Sequence, residues 1–299
     1  MTDRDDDPSS EQGLDFYSRS GPMTDLGPHR AIFAELADIP SLARVMHGVL
    51  LHTHWAPTYG QKLSPERRET EHLRRIRDLL DAVTRIDPSP LTTPRPPEHR
   101  AVGVCSHYSI LAVAVLRSHG TPARARCGFG TYFEPGRAVD HWIVEYRDQD
   151  RWVSADFQID AVQASVLKPD FDVLDQPSGK FLRAGEAWQA CRHGELDPMS
   201  CGLFDEGGYW FIAQNLLRDV AALNKMEMLP WDVWGLMPRP SDPMPQELMD
   251  QLDQLAELTV DVDERFGALR QRYESDERVR VPPRVRNAVR QRIEPVFPD

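Results

Sequence analysis

One segment of this chain has to lie inside a folded core. Residues 106–119 have a helical pattern with apolar side chains on nearly every side, namely Ile110, Leu111, Val113, Val115 and Leu116. A helix that is apolar all round is typical of a buried position. Gly120 follows as a helix stop, with Pro122 just behind it. Strand-like segments come next, at 123–133, 141–147 and 151–158, so the centre of the chain combines a buried helix with strands.

The composition is that of a soluble globular protein and argues against several functional classes. Hydrophobic residues make up 40% and charged residues 27% of the 299 residues, which is typical of globular domains. The net charge of −12 disfavours a broad basic face for nucleic acid. No apolar run approaches the ~20 residues of a membrane span. The first residues are acidic, whereas a signal peptide is basic and then apolar.

We therefore expect a cytoplasmic protein with neither a nucleic-acid nor a membrane partner. The four cysteines, Cys105, Cys127, Cys191 and Cys201, show no CxxC spacing, and cytosolic thiols are reduced by default. The 31 arginines against 4 lysines suggest a GC-rich bacterial genome. Nothing in the sequence indicates an oligomeric state.

The segments on either side of the centre have different characters. Residues 1–27 carry Asp, Ser, Gly and Pro with few apolar anchors, and we expect this acidic N-terminus to be disordered. Ser64 as N-cap and Pro65 behind it predict a helix that runs to about Arg85. After Asp160 the chain is irregular and then helical, with candidate helices at 209–228 and 245–273.

Cys105 is the residue with the clearest chemical potential. It stands at the predicted start of the apolar helix, where unpaired backbone N–H groups and the positive end of the helix dipole favour a thiolate. His141 follows 36 residues later and Asp156 another 15 residues later. A nearby imidazolium would lower the pKa of the thiol further. This layout predicts a Cys-His-Asp acyl-transfer site in which the same N–H groups help to bind an oxyanion.

The predicted hairpin brings the histidine and the carboxylate together. If the turn is centred between Asp148 and Gln149, His141 lies directly opposite Asp156. Directly opposed Cβ atoms are about 4.5–5.5 Å apart, which is within reach of a ring nitrogen and a carboxylate. A turn one residue longer or shorter would place the two side chains on opposite faces.

These residues resemble the transglutaminase-like superfamily. The resemblance covers about 60 residues and rests on motifs that occur in order: Gly103-Val104-Cys105, Leu116-Arg117, Gly120-Thr121-Pro122-Ala123-Arg124, Gly128-Phe129, Asp140-His141-Trp142, Arg151-Trp152-Val153 and Asp156. It implies a papain-like α+β core with the nucleophile helix packed on an antiparallel sheet. It also implies that Cys105 is the nucleophile, His141 the general base and acid, and Asp156 the orienting group.

The resemblance defines our predicted organisation and function. Residues 28–160 would form the catalytic core, and residues 161–299 a mainly helical part that packs on the core and shapes the pocket. The expected function is cysteine-dependent attack on an amide or related acyl carbonyl of a small molecule or peptide, without a cofactor, followed by hydrolysis or transfer to an amine. The alternative is a non-catalytic binding module on the same fold.

Several other residues are candidates for substrate contact. Trp55, Tyr59 and Gln61 could supply a side-chain donor to the oxyanion hole, and Trp142 stands beside the predicted base. Arg218 and Lys225, on an aromatic-rich candidate helix, could bind a substrate carboxylate. His52 and His54 could bind a metal, but they lack a third ligand at a telling spacing, so we predict no metal site.

Overall fold

The computed structural model describes residues 8–36 and 38–297. It is a mixed α+β structure, as predicted. Its α-helices are α1 (Pro8–Tyr17), α2 (Arg30–Phe33), α3 (Ile39–Val49), α4 (Pro65–Arg68), α5 (Ile76–Ile86), α6 (Cys105–Ser118), α7 (Ala161–Leu167), α8 (Ala184–Arg192), α9 (Tyr209–Leu223), α10 (Gln246–Val260) and α11 (Phe266–Ser275). None of the helices in these ranges is both long and apolar enough to cross a membrane.

The strands are mostly short. They are β1 (Leu50–His52), β2 (Ala101–Gly103), β3 (Ala123–Gly130), β4 (Ala138–Asp148), β5 (Arg151–Ala155), β6 (Phe181–Arg183), β7 (Cys201–Leu203), β8 (Glu206–Gly207), β9 (Asp232–Val233), β10 (Arg284–Asn287) and β11 (Arg292–Pro295). The largest sheet has the order β6-β3-β4-β7-β8, and β5 also pairs with β4. The β3–β6 and β4–β5 pairs are antiparallel, and the β4–β7 pair is parallel.

The chain forms two compact units, which we name by their central helices. The α6 unit comprises Ser20–Arg126 and His141–Lys180, and the α9 unit comprises the rest of the chain. In the α6 unit, α6 packs against α2, α3, α5 and β2, and its side chains from Cys105 to Arg117 are buried. The prediction of a buried helix is confirmed, and Gly120 ends it in the left-handed region with φ of +80°.

Helices α8, α9 and α10 pack together in the α9 unit. The end of β3 pairs there with β6, and the start of β4 pairs with β7. A separate three-stranded sheet, in the order β11-β10-β9, belongs to the same unit. Residues beyond 160 thus contribute short strands as well as helices.

The N-terminal segment differs from the predicted disorder. Residues 1–7 lie outside the described residues, but residues 8–17 form α1. Tyr17 is fully buried and its hydroxyl donates a hydrogen bond to the Leu223 carbonyl, at 3.0 Å, within the α9 unit. Met23 is fully buried in the α6 unit, where its carbonyl accepts a hydrogen bond from Ile76 N–H. A few well-placed apolar residues therefore suffice to order a polar segment.

The helix predicted from Ser64 to Arg85 is interrupted. Ser64 caps α4 as expected, by accepting a hydrogen bond from Arg67 N–H, but α4 ends at Arg68 and a 3-10 turn, Glu69–His72, follows. Helix α5 begins only at Ile76. The interruption brings Thr70 to β2, where its hydroxyl donates to the Val102 carbonyl at 2.7 Å. This tertiary contact replaces the helical continuation that the apolar pattern indicates.

Candidate active site

Cys105 is the first residue of α6, as predicted. The preceding residue, Val104, is extended, with φ of −127° and ψ of 175°, so the chain passes directly from β2 into the helix. The Cys105 residue is 6% exposed. Its sulfur therefore lies in the first turn, where backbone N–H groups point out of the helix and favour an anion.

His107 caps the same turn and has a defined protonation state. Its Nδ1 accepts a hydrogen bond from Val104 N–H at 3.0 Å, and its Nε2 lies 2.9 Å from the Leu73 carbonyl oxygen. Because a backbone N–H can only donate, Nδ1 carries no proton and Nε2–H donates to Leu73. Burial lowers the pKa of His107 to about 4, so the ring is neutral near pH 7. It shapes the start of α6 without adding charge there.

His141 and Asp156 form a buried pair. His141 Nε2 lies 2.8 Å from Asp156 Oδ2, and the two residues are 2% and 1% exposed. The other carboxylate oxygen, Oδ1, accepts a hydrogen bond from Gln158 N–H at 2.8 Å. A carboxylate is only an acceptor, so His141 donates from Nε2. A short hydrogen bond of this kind orients a histidine base.

The register that produces this pair differs from the prediction. Asp148 pairs with Arg151 and Val144 with Ala155, so the turn residues are Gln149 and Asp150 instead of Asp148 and Gln149. Gln149 adopts φ of +50°, which suits a two-residue hairpin turn. The predicted direct opposition of His141 and Asp156 is therefore wrong.

The shift in register moves Asp156 away from the position directly opposite His141 but leaves the two side chains on the same face of the sheet. The ladder moves by two residues on one strand, and a shift of two retains the side of the sheet. Strand β5 ends at Ala155, and the Asp156 N–H donates to the Val173 carbonyl at 2.7 Å. Asp156 thus reaches His141 as a diagonal neighbour from a segment that has left the ladder.

Two electrostatic contacts connect this pair with the start of α6. Tyr108 lies one helical turn beyond Cys105, and Asp156 is among the charges that raise its pKa, after burial as the largest cause. His52 responds to the charges of both His141 and His107. Such responses require proximity, because charge interactions weaken with distance. The His141–Asp156 pair therefore lies in the neighbourhood of the first turn of α6.

The same region is the part of the chain that comparison with known proteins identifies. The family model of the transglutaminase-like superfamily matches residues 57–157. This region of the chain is similar to the transglutaminase-like superfamily. The match covers about a third of the sequence, includes Cys105, His141 and Asp156, and confirms the predicted resemblance. No curated protein and no solved structure matches the chain.

The transglutaminase-like superfamily typically contains cysteine-dependent acyl-transfer enzymes and hydrolases. In this chain the superfamily match spans β2, α6 and the β4–β5 hairpin, the elements that carry the candidate residues. The matched region therefore contains all three candidate catalytic residues.

Tyr59 and Gln61, candidates for substrate contact, lie in the segment that links β1 to α4. The Tyr59 hydroxyl accepts a hydrogen bond from Gln163 Nε2 at 3.3 Å; burial and then a hydrogen bond with Asp160 raise its pKa. Tyr59 thus connects α7 by a hydrogen bond to the segment between β1 and α4. The side-chain oxygen Oε1 of Gln61 accepts a hydrogen bond from Arg67 Nη1 at 3.2 Å.

Gln61 also lines a cavity of about 390 Å³ in the α6 unit. The other lining residues are Thr53, Ala56, Pro57, Lys62, Leu63 and Arg68. Trp55, the third candidate in this segment, is partly buried and does not belong to the cavity wall. Thr53, which lines this cavity, directly follows His52 in the sequence.

Trp142 is almost completely buried, at 1% exposure, and its indole N–H has no hydrogen-bond partner within the described residues. It follows His141 on β4, so the two side chains point to opposite faces of the sheet. This orientation is typical of a core residue that supports the strand from behind.

Arg218 and Lys225 lie in the α9 unit with internal partners. Arg218 donates hydrogen bonds to Asn215 Oδ1 at 2.9 Å and to Gln214 Oε1 at 2.8 Å. The ammonium nitrogen of Lys225 lies 3.9 Å from the centre of the Phe16 ring. Their cationic groups are thus engaged within the α9 unit, and a carboxylate-binding role stays a prediction.

His52 is the residue of this neighbourhood whose place sequence reasoning missed. We considered it only as a metal ligand, together with His54. Across residues 8–36 and 38–297, no group of three or more His, Cys, Asp or Glu side chains is arranged to hold a metal ion. His52 ends β1 and pairs with Gly103 on β2. Only the parallel β1–β2 pairing, which joins residues about fifty positions apart, places it beside the start of α6.

Proposed function

We propose that the protein is a cysteine-dependent acyl-transfer enzyme that acts on an amide or related acyl carbonyl through a thioester on Cys105. The observation that carries the proposal is the buried His141–Asp156 hydrogen bond, at 2.8 Å, in the same unit as the helix that begins at Cys105. The superfamily match supports the same chemistry.

The first half-reaction transfers the acyl group to the enzyme. The thiol proton moves to His141 Nδ1, since Nε2 is committed to Asp156, and the thiolate attacks the carbonyl carbon. The resulting oxyanion is stabilised by N–H groups at the start of α6. When the C–N bond breaks, His141 Nδ1–H protonates the leaving amine, and Cys105 holds the acyl group as a thioester.

The second half-reaction releases the acyl group. A water molecule or an amine attacks the thioester carbon while His141 Nδ1 accepts its proton. Collapse of the second tetrahedral intermediate breaks the C–S bond, and the proton returns to the thiolate. With water the product is a carboxylic acid, and with an amine it is a new amide, so the same residues serve hydrolysis and transfer.

Competition among the four thiols tests the proposal directly. Cys105, Cys127, Cys191 and Cys201 are all reduced and buried, so burial alone predicts slow alkylation of each. We expect iodoacetamide near neutral pH to modify Cys105 at least about tenfold faster than the other three, since only this thiol lies at a helix start beside a histidine base. Peptide mapping by mass spectrometry measures the four rates.

A trapping experiment with p-nitrophenyl acetate then examines acyl transfer. We expect a burst of p-nitrophenol and an acetyl adduct on Cys105 in the wild-type protein, and neither in Cys105→Ala. Cys127→Ala, which removes another buried thiol, is the matched control and should keep the burst. Equal slow alkylation of all four cysteines would exclude the proposed function and leave the binding module, and an undiminished burst in Cys105→Ala would exclude Cys105 as the nucleophile.

A further inference from the structure

We propose that His52 is the side-chain donor of the oxyanion hole, and that its Nε2–H binds the oxygen of the tetrahedral intermediate formed at Cys105. This inference rests on the proposed function. It replaces Trp55, Tyr59 and Gln61 in that role with a residue from the preceding strand.

The position follows from the pairing of β1 with β2. His52 lies beside Gly103 in parallel register, and Cys105 is two residues further along the extended chain. A strand separation of about 4.8 Å and a rise of about 3.3 Å per residue place the His52 and Cys105 Cα atoms about 8 Å apart. An imidazole spans much of that separation, so its outer nitrogen can reach an oxygen bound next to the sulfur.

The direction of the ring follows from Gly103. A Cβ atom on Gly103 would meet the His107 ring, with Nδ1 3.3 Å away. Paired residues on adjacent strands direct their side chains to the same face, so His52 projects toward the face that holds His107. The charge interactions of His52 with His107 and His141 agree with this direction. His52 therefore lies on the face of the β1–β2 pair that His107 covers at the start of α6.

One backbone hydrogen bond sets the tautomer. His52 Nδ1 accepts from His54 N–H at 3.2 Å, as the cap of the 3-10 turn Thr53–Tyr59. Since that N–H can only donate, the single ring proton of neutral His52 is on Nε2. Burial is the largest cause that lowers the pKa of His52 well below its usual range. A neutral donor suits an oxyanion hole because it keeps its proton while it binds the charged oxygen.

The hydrogen bonding of His52 leaves this donor available. His52 is 7% exposed, and within the described residues its one hydrogen bond is the contact of Nδ1 with His54 N–H. A bound oxyanion would give this N–H group an acceptor. Tyr59, by contrast, already bonds Gln163 and Asp160.

Two variants of similar length separate the donor from the rest of the side chain. In His52→Gln the amide nitrogen takes about the place of Nε2 and can donate, whereas His52→Met fills the space without a donor. Both lose the ring nitrogen that accepts from His54, so a difference between them reports the donor alone. His54→Ala, at an exposed neighbour whose backbone N–H is retained, is the control for the loop.

Acylation and alkylation of Cys105 supply two readouts. Acylation by p-nitrophenyl acetate passes through an oxyanion, but alkylation by iodoacetamide displaces iodide at a saturated carbon. Loss of one oxyanion donor costs about 10²–10³ in rate. We expect His52→Met to slow acylation at least about 100-fold and alkylation less than about threefold. His52→Gln should recover acylation to within about tenfold of the wild type.

Each result decides the proposal. Acylation in His52→Met within threefold of the wild type would overturn it, as would equal losses in the Gln and Met variants. Equal slowing of alkylation and acylation would also overturn it, because His52 would then act on the thiol or on the local fold. A wild-type Cys105 that is neither preferentially alkylated nor acylated would instead refute the proposed acyl transfer, whatever the variants do.

Discussion

The Asp156→Asn variant offers the sharpest test of how the histidine is oriented. Asp156 Oδ1 accepts from Gln158 N–H and Oδ2 accepts from His141 Nε2, both at 2.8 Å. In the variant the amide oxygen would keep the bond to Gln158, because a backbone N–H requires an acceptor. The NH₂ group would then face His141 Nε2. Two donors cannot bond each other, so Nε2 would lose its proton and Nδ1 would gain it, the wrong tautomer for a base.

The expected loss of activity follows from the exchange of the Asp156 carboxylate for an amide. A hydrogen bond to a charged group contributes about 1.5–3 kcal/mol, and each 1.36 kcal/mol is tenfold in rate, so loss of the imidazolium partner alone costs about 10–100-fold. The inverted tautomer adds to this, and the corresponding change in a serine protease triad costs about 10⁴. We therefore expect kcat/KM to fall by a factor of about 10³–10⁴, with little change in the folded structure of the protein.

The assay measures kcat/KM for an activated ester or amide together with the alkylation rate of Cys105 at pH 7. Asp160→Asn is the matched control. Asp160 Oδ1 accepts from Val162 and Gln163 N–H at the start of α7, a task that asparagine performs equally well, so its activity should stay within about threefold of the wild type. An Asp156→Asn enzyme within tenfold of the wild type would refute the orienting role.

Three further predictions concern stability. The pKa of His107 is about 4 in the folded protein, below its unfolded value near 6.5, so the unfolded state gains a proton first as the pH falls. The contribution of neutral His107 to stability is therefore complete above pH 6.5 and is lost as the pH falls toward 4. Between pH 7 and 4, the free energy of unfolding measured with urea should fall by about 3 kcal/mol more in the wild type than in His107→Gln, and equal losses would contradict this. Gly185→Ala would place a Cβ against Thr259 Oγ1 and 3.0 Å from the Ala256 carbonyl oxygen, and should lower the free energy of unfolding by about 1–3 kcal/mol. Gly267→Ala, in α11 with no atom within 4 Å of the added carbon, should instead be neutral or stabilising by up to about 1 kcal/mol, and a loss as large as that of Gly185→Ala would refute the packing argument.

Local patterns predicted the central elements well. The apolar run before Gly120 corresponds to α6 with a difference of one residue at each end, because a helix without a polar face is stable only when buried. The strand-like segments at 141–147 and 151–158 overlap β4 and β5, although β5 ends earlier, at Ala155. Predictions failed where distant contacts intervene, as at Thr70, which bonds β2 and interrupts the expected helix.

The proposed triad shows the same division. The spacing of Cys105, His141 and Asp156 was sufficient to nominate them, since a helix start and a hairpin are local features. The spacing did not predict the hairpin register, which depends on the positive φ of Gln149 and on the hydrogen bond from Asp156 N–H to the Val173 carbonyl. The pair survives because a shift of two residues keeps both side chains on one face.

Patterns along the chain predicted the helix that carries Cys105, the strand that carries His141, and the family resemblance, because each depends on side chains close together in the sequence. The tertiary structure established which nitrogen of His141 carries the proton, since its partner Asp156 lies outside the local pattern. It also decided that His52 stands beside Gly103. Parallel strands pair without a local turn, so no periodicity along the chain records which residues they bring together.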